Sequence, residues 1–142
     1  SIRSRISQSG LDDFVTLDTV YYTDHECLER LADADLVVFP YQATQESSSA
    51  AVRHAIASGA PVAVTPLAIF EDVAPAVIEL PGCEPAALAD GISRVMGWLP
   101  GEWQDYRARS KNWRAAHAHS VVAQRLSGMI CALQREDAGS AG

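Results

Sequence analysis

The 142-residue chain has a formal charge of −7, and 48% of its residues are hydrophobic. This length and balance predict one globular domain with its own core. The lack of a basic run argues against nucleic-acid binding. No apolar run reaches the roughly 20 residues that a membrane helix needs. The three cysteines, Cys27, Cys83 and Cys131, are too scattered for a disulfide framework or a zinc site. We expect buried, inert thiols in a reducing cytoplasm.

The first third of the chain predicts helices and strands in alternation. β-Branched residues at alternating positions indicate a strand, and a short continuous apolar run indicates a buried parallel strand. In chain order we expect a helix over Ser1–Ser9 that stops at Gly10, a strand over Phe14–Val20, a helix capped by Thr23 or Asp24, and a strand over Leu36–Pro40.

The alternation continues through the rest of the chain. We expect a helix that begins at Ser47–Ser49, strands over Pro61–Pro66 and Ala76–Leu80, and helices over Glu84–Leu99 and from Gly101 to about Glu136. Such alternation predicts an α/β fold with a mostly parallel sheet flanked by helices. We therefore expect one domain over residues 1–135 and a flexible tail over residues 136–142.

The segment "FPYQATQESSSAAVRHAIASGAPVAVTP" lies where an open parallel sheet binds its ligands, beyond the carboxyl end of a strand. The three backbone amides of Ser47–Ser49 lie at the start of a predicted helix, where they could bind a phosphate group. Plain N-capping by Ser47 or Ser48 explains the serines as well. The helix positions Val52, Ala55 and Ile56 share one face and should pack on the sheet. His54 falls on the other side, where it is either solvated or in contact with a ligand.

The same segment carries a resemblance to a known family. "ESSSAAVRHAIASGAPVAV" resembles the nucleotide-sugar signature of retaining, family 4-like glycosyltransferases of the GT-B fold, without gaps from Glu46 to Val62. "LADADLVVFP" upstream, "EPAALADGI" downstream and the closing "NWRAAHAHSVVAQRLSGMICAL" resemble further segments of that family in the right order. The resemblance implies a Rossmann-like donor-binding domain, the C-terminal half of a GT-B fold, that transfers a sugar from a nucleotide-sugar to an acceptor hydroxyl.

The resemblance also implies roles for single residues. Glu46 would be the catalytic-site glutamate that contacts donor-sugar hydroxyls, and the amides of Ser48, Ser49 and Ala50 would meet the diphosphate. His54 stands where the family has a ribose-binding glutamate, and a histidine can still hydrogen-bond a hydroxyl. We expect substrate contacts from Tyr41 and Ser47 in the loop as well. The implied substrate is a UDP- or GDP-sugar, with no metal and no other cofactor.

The chain departs from the family pattern in ways that leave alternatives open. Serines replace the motif glycines, and Ala68 and Ile69 replace a glycine pair. A GT-B-like nucleotide-sugar epimerase domain and a non-catalytic α/β interaction module are the other readings. The resemblance lacks the family's first two strands and its acceptor-binding domain. We therefore expect an inactive piece that associates with the missing N-terminal part or with itself. The acceptor would be a glycan or a lipid-linked sugar of polysaccharide biosynthesis, in the cytoplasm or at the inner membrane face.

Two sets of aromatic residues complete the predictions. Tyr21 and Tyr22 follow a predicted strand end, where they either approach a nucleotide base or belong to a turn or the core. The aromatics around the last helices should pack helix against helix rather than stack on sugar; they are Trp98, Trp103, Tyr106 and Trp113.

Overall fold

The computed structural model describes residues 1–43 and 50–117. It contains a three-stranded parallel sheet with helices around it, as the alternating pattern predicted. The elements are α1 (Ile2–Gln8), α2 (Asp24–Ala32), β1 (Val37–Phe39), α3 (Ala50–Ala57), β2 (Val62–Val64), a 3₁₀ segment (Ala68–Ala76), β3 (Ile78–Glu79) and α4 (Pro85–Met96). A further helix, α5, occupies residues 100–117.

The sheet has the order β1-β2-β3, and β2 is its central strand. Val37 pairs with Val62 and Phe39 pairs with Val64 across β1 and β2, while Ala63 pairs with Ile78 across β2 and β3. All three residues of β2 are fully buried, which agrees with the continuous apolar run that predicted a strand covered on both faces. The strands predicted around Leu36–Pro40, Pro61–Pro66 and Ala76–Leu80 are thus confirmed.

Helix α3 packs on the sheet through the predicted face. Val52, Ala55 and Ile56 are buried in the main core cluster, and His54 is only half-buried on the other side. Gly59 follows with a φ of +86°, a left-handed conformation that commonly ends a helix. The face prediction is therefore confirmed, and His54 is not a core residue.

Helix α2 begins with a capping box. The Thr23 hydroxyl accepts from the Glu26 N–H at 3.2 Å, and the Glu26 carboxylate accepts from the Thr23 N–H at 2.9 Å. This exchange satisfies two backbone donors that a helix start leaves open. Thr23, rather than Asp24, is therefore the cap.

Helix α5 is held to the sheet by aromatic side chains. The Tyr106 hydroxyl accepts from the Val62 N–H at 3.1 Å and donates to the Ala76 carbonyl at 2.9 Å. Trp98 and Trp103 pack edge to face, with ring centroids 5.1 Å apart, against a second group of buried residues that includes Ala63, Ile78 and Leu80. The predicted helix-packing role of these aromatics is confirmed. The predicted helix beyond residue 117, the tail and Cys131 lie outside the described residues.

Two predictions are wrong. Phe14–Val20 forms no strand, and the Phe14 side chain is 83% exposed. The backbone turns back at Leu11, which accepts from the Phe14 N–H at 2.9 Å, and the Asp18 carboxylate accepts from the Val20 N–H at 3.0 Å. Such local hydrogen bonds compete with sheet pairing. A segment with an alternating pattern forms a strand only where a neighbouring strand can pair with it.

The burial predicted for the cysteines is wrong for Cys27 and Cys83, which are half-buried free thiols. Cys27 lies on the outer helix α2, which has no fully buried residue.

Among the helices within residues 1–43 and 50–117, none has the length and apolar character that a membrane span requires.

Candidate functional site

A cavity of about 540 Å³ opens between α2 and α3, beside β1. Phe39, the last residue of β1, forms its floor, and Ala50, Ala51 and His54 of α3 form one wall. The opposite wall comes from the segment around the start of α2: Tyr22, Asp24, Cys27, Arg30 and Leu31. Most of these walls are apolar. The cavity thus lies at the carboxyl end of a parallel strand, where α/β sheets bind their ligands.

Tyr22 is held in place at this cavity by a small polar network. Its hydroxyl donates to the Asp18 carboxylate, which also accepts from Arg30 at 2.9 Å. The Arg30 guanidinium covers one face of the Tyr22 ring, 4.5 Å from the centroid, a favourable cation–π arrangement. Tyr21 beside it is 97% exposed. Of the two tyrosines noted in the sequence, Tyr22 is therefore the one that lines the cavity.

The network shifts the acid–base behaviour of its members. The hydrogen bond from Tyr22, with the Val20 N–H and the Arg30 charge behind it, lowers the pKa of the Asp18 carboxyl. The same hydrogen bond to Asp18 raises the pKa of the Tyr22 hydroxyl. Both groups therefore keep their ordinary charge states at neutral pH, and the hydrogen bond between a neutral phenol and a carboxylate persists.

The structure brings together some of the predicted site residues. Ala50 and His54 line the cavity, whereas Glu46 and Ser47–Ser49 lie outside the described residues. Tyr41 is absent from the cavity wall. Its ring packs 5.8 Å from the rings of both Phe39 and Phe70, so the substrate contact predicted for Tyr41 stays a prediction.

The loop that follows β1 is tied down at its start. The Tyr41 carbonyl accepts from the Thr65 hydroxyl at 2.7 Å, which joins the ends of β1 and β2. The Gln42 side chain donates to the Cys83 carbonyl at 3.1 Å, which joins the same loop to the one after β3. The chain therefore leaves the sheet toward residue 44 from a fixed position.

Sequence reasoning missed Asp18, Cys27 and Arg30 as parts of this site. Asp18 and Arg30 lie 12 residues apart, and no periodicity joins a loop residue to a helix residue at that distance. Cys27 also lines the cavity from α2, and its place in the sequence gave only a weak indication of this. In the described part of the chain, no three His, Cys, Asp or Glu side chains form a group that could hold a metal ion.

Comparisons with known proteins support the fold. No family model matches the chain, and no curated protein matches it either. Among solved structures, the sucrose-phosphate synthase from Thermosynechococcus elongatus is similar over 89% of this chain, with a TM-score of 0.57 and 23% identity. The chain spans 34% of that protein. The likeness confirms the predicted α/β fold, a parallel sheet flanked by helices.

Proposed function

We propose that this chain is the donor-binding part of a glycosyltransferase and that the cavity between α2 and α3 receives the nucleoside of a nucleotide-sugar. One observation carries the proposal: His54 and Ala50 of α3 line the same cavity as the fixed ring of Tyr22. A nucleoside combines a flat base with a hydroxyl-rich ribose. A largely apolar cavity lined by the rings of Tyr22 and Phe39 and by the imidazole of His54 offers a suitable partner for each.

The base would stack on Tyr22, and the ribose would hydrogen-bond His54. Arg30 covers one face of the Tyr22 ring, so a base would stack on the opposite face. His54 is half-buried, and its ring nitrogens can donate to or accept from a ribose hydroxyl. A UDP- or GDP-sugar is the proposed substrate class, with no metal.

The diphosphate would meet backbone amides near the start of α3, those of Ser48, Ser49 and Ala50. Free amides and the positive dipole end make a helix start a good phosphate site, even in a chain with a charge of −7. The same amides would stabilise the diphosphate as it leaves. Glu46 would bind donor-sugar hydroxyls. Transfer with retention at the sugar and the roles of Glu46, Ser48 and Ser49 rest on the sequence motif alone.

The test is a titration with UDP, GDP and their sugars, followed by calorimetry and by NMR of backbone amides. Two adjacent tyrosines supply a matched pair of variants. Because base–aromatic stacking contributes about 1–3 kcal/mol, Tyr22→Ala should weaken nucleotide binding by about fivefold or more. Tyr21→Ala, which removes an exposed ring outside the cavity, should leave it unchanged.

The histidines offer a second matched pair. His54→Ala should weaken binding up to about tenfold, the effect of one neutral hydrogen bond. His25→Ala changes an exposed histidine of α2 that contacts Glu29 at 3.2 Å and should have no effect. Failure of every nucleotide to bind the folded chain would refute the proposal, and so would equal losses within each pair.

We further propose that the donor site works together with an acceptor-binding part of the same enzyme, so that the 142-residue chain binds the donor without transferring sugar. Two features support this partner. β1 is an edge strand of the described sheet, and unpaired strand edges invite further pairing. Phe14 and Val20 expose large apolar side chains nearby in sequence. Analytical ultracentrifugation with the N-terminal part supplied should show a complex, and two separate monomers would contradict it.

A further inference from the structure

A second cavity, of about 380 Å³, lies where β2 begins, at the opposite end of the sheet from the carboxyl end of β1. One side is formed by the loop Gly59–Pro61, by Ala32 at the end of α2, and by Ala34 just after that helix. The middle of α5 forms the other side through Arg107, Ser110, Lys111 and Arg114. Nothing in the proposed donor site uses these residues.

Three basic side chains converge on this cavity. Arg107, Lys111 and Arg114 are spaced i, i+4 and i+7, which places them on one face of α5. They are 3 of the 11 basic residues in a chain whose net charge is −7, and none of the three forms an ion pair within the described residues. Asp35 is the one acidic residue on the cavity wall. The cavity therefore has a surplus of positive charge.

Arg114 has a buried hydrogen-bond donor without a partner, which points to a ligand at this cavity. Its Nε is buried and has no hydrogen-bond partner, and it is the one such side-chain nitrogen or oxygen within residues 1–43 and 50–117. Buried donors are nearly always paired, and leaving one open costs about 1–3 kcal/mol. An acceptor in the cavity would satisfy this N–H after a turn of the half-buried Arg114 side chain.

Helix ends explain only part of the basic cluster. The C-terminal ends of α2 and α3 both lie at this cavity, and each carries about half a negative elementary charge. One basic side chain is enough to neutralise both helix ends. A second balances the charge of Asp35. The positive charge of the third is left without a counterpart, and the Nε of Arg114 is left without a hydrogen-bond partner.

We propose that this second cavity binds an anion with a phosphate monoester or diphosphate group. The seven helical steps from Arg107 to Arg114 span about 10 Å along the helix, so the basic side chains suit a ligand with several charged oxygens better than one carboxylate. A guanidinium presents paired donors that fit phosphate geometry. The Gly59–Pro61 loop forms the remaining wall.

Pyrophosphate is the probe, titrated into the full chain at low salt while backbone amides are followed by NMR. We expect shifts at Gly59, Ala60 and Lys111. Arg114→Gln and Lys111→Gln should each weaken this response about tenfold or more, because each removes a charge-assisted hydrogen bond. Arg3→Gln makes the same change of charge on the exposed helix α1 and should leave the affinity unchanged.

The lysine variant keeps the test valid if Arg114→Gln perturbs the fold, because Lys111 is exposed. Shifts confined to residues 48–50 would place pyrophosphate at the proposed donor site alone and overturn the second cavity. Equal affinities in Lys111→Gln and Arg3→Gln would overturn it too. This outcome is independent of nucleotide binding at the α2–α3 cavity, so either proposal can fail without the other.

Two sources could supply the phosphate group, and vesicles distinguish them. Phosphatidic acid vesicles present a phosphate monoester on a lipid, whereas phosphatidylcholine vesicles present no monoester. Binding to pyrophosphate and not to either vesicle would assign the cavity to a free phosphate compound. Lys111-dependent binding to phosphatidic acid vesicles would assign it to a lipid headgroup. Binding to neither probe would refute the proposal.

Discussion

Removal of one hydroxyl, in Tyr106→Phe, should destabilise the whole domain. The Tyr106 side chain is 2% exposed, and its hydroxyl lies between the Val62 N–H and the Ala76 carbonyl, at 3.1 and 2.9 Å. Val62 is the first residue of the central strand, and Ala76 ends the 3₁₀ segment. The single hydroxyl thus connects α5 to two elements of the core.

The size of the effect follows from the two groups that lose their partner. Each buried backbone group left without a hydrogen bond costs about 1–3 kcal/mol, with the carbonyl at the low end. We expect a loss of about 2–4 kcal/mol from a total stability of about 5–15 kcal/mol. For a chain of this size that loss lowers the melting temperature by about 6–15 °C.

The effect should also depend on pH in a defined direction. Burial raises the pKa of the Tyr106 hydroxyl, so the folded protein holds this proton more tightly than the unfolded chain. The contribution of Tyr106 is therefore complete below the ordinary tyrosine pKa of about 10 and is lost as the pH rises toward the raised value. The gap in stability between the wild type and Tyr106→Phe should narrow above about pH 10.

The assay is thermal and urea unfolding followed by circular dichroism between pH 7 and pH 11. Tyr21→Phe is the matched control, because it removes a hydroxyl from a ring that is 97% exposed; it should change the stability by less than about 0.5 kcal/mol. A loss below about 1 kcal/mol for Tyr106→Phe would show that the two backbone groups find other partners, which would refute the reasoning.

Three smaller changes test other parts of the fold by the same unfolding assays. Ile56→Ala empties a site that is 1% exposed and should cost about 2–5 kcal/mol. Gly91→Ala should destabilise α4, since the new Cβ would lie 2.6 Å from the Pro81 ring; Gly101→Ala in α5 meets nothing within 4 Å and should stabilise by up to about 1 kcal/mol. If both glycine variants stabilise, the close approach at Gly91 is wrong. Thr23→Ala removes the cap of α2 and should cost about 1 kcal/mol, and an unchanged melting curve would contradict the capping box.

The sequence was sufficient for the parts of the fold that local chemistry determines. A continuous apolar run predicted β2 because a central parallel strand is buried on both faces. The spacing of Val52, Ala55 and Ile56 predicted the buried face of α3 because those positions share one side of any helix. The start of α2 was predicted with Thr23 or Asp24 as the cap, and the capping box that Thr23 forms with Glu26 decides for Thr23.

The remaining features depend on which segments meet in space. Phe14–Val20 alternates like a strand, but local hydrogen bonds to Leu11 and Asp18 form there instead of sheet pairing. Asp18, Tyr22 and Arg30 form a network across a loop and a helix. Nothing in their spacing indicates such contacts. For the same reason, the sequence alone could not tell which tyrosine lines the α2–α3 cavity.

The two proposed sites differ because a parallel sheet with flanking helices has two unlike ends. At the carboxyl ends of the strands, helices begin, and their free amides can hold an anion without any basic side chain. An acidic chain can therefore bind a diphosphate near Ala50. At the other end of the sheet, α2 and α3 finish, and their carbonyls repel an anion. A phosphate site there must be built from cationic side chains, and Arg107, Lys111 and Arg114 provide them on one face of α5.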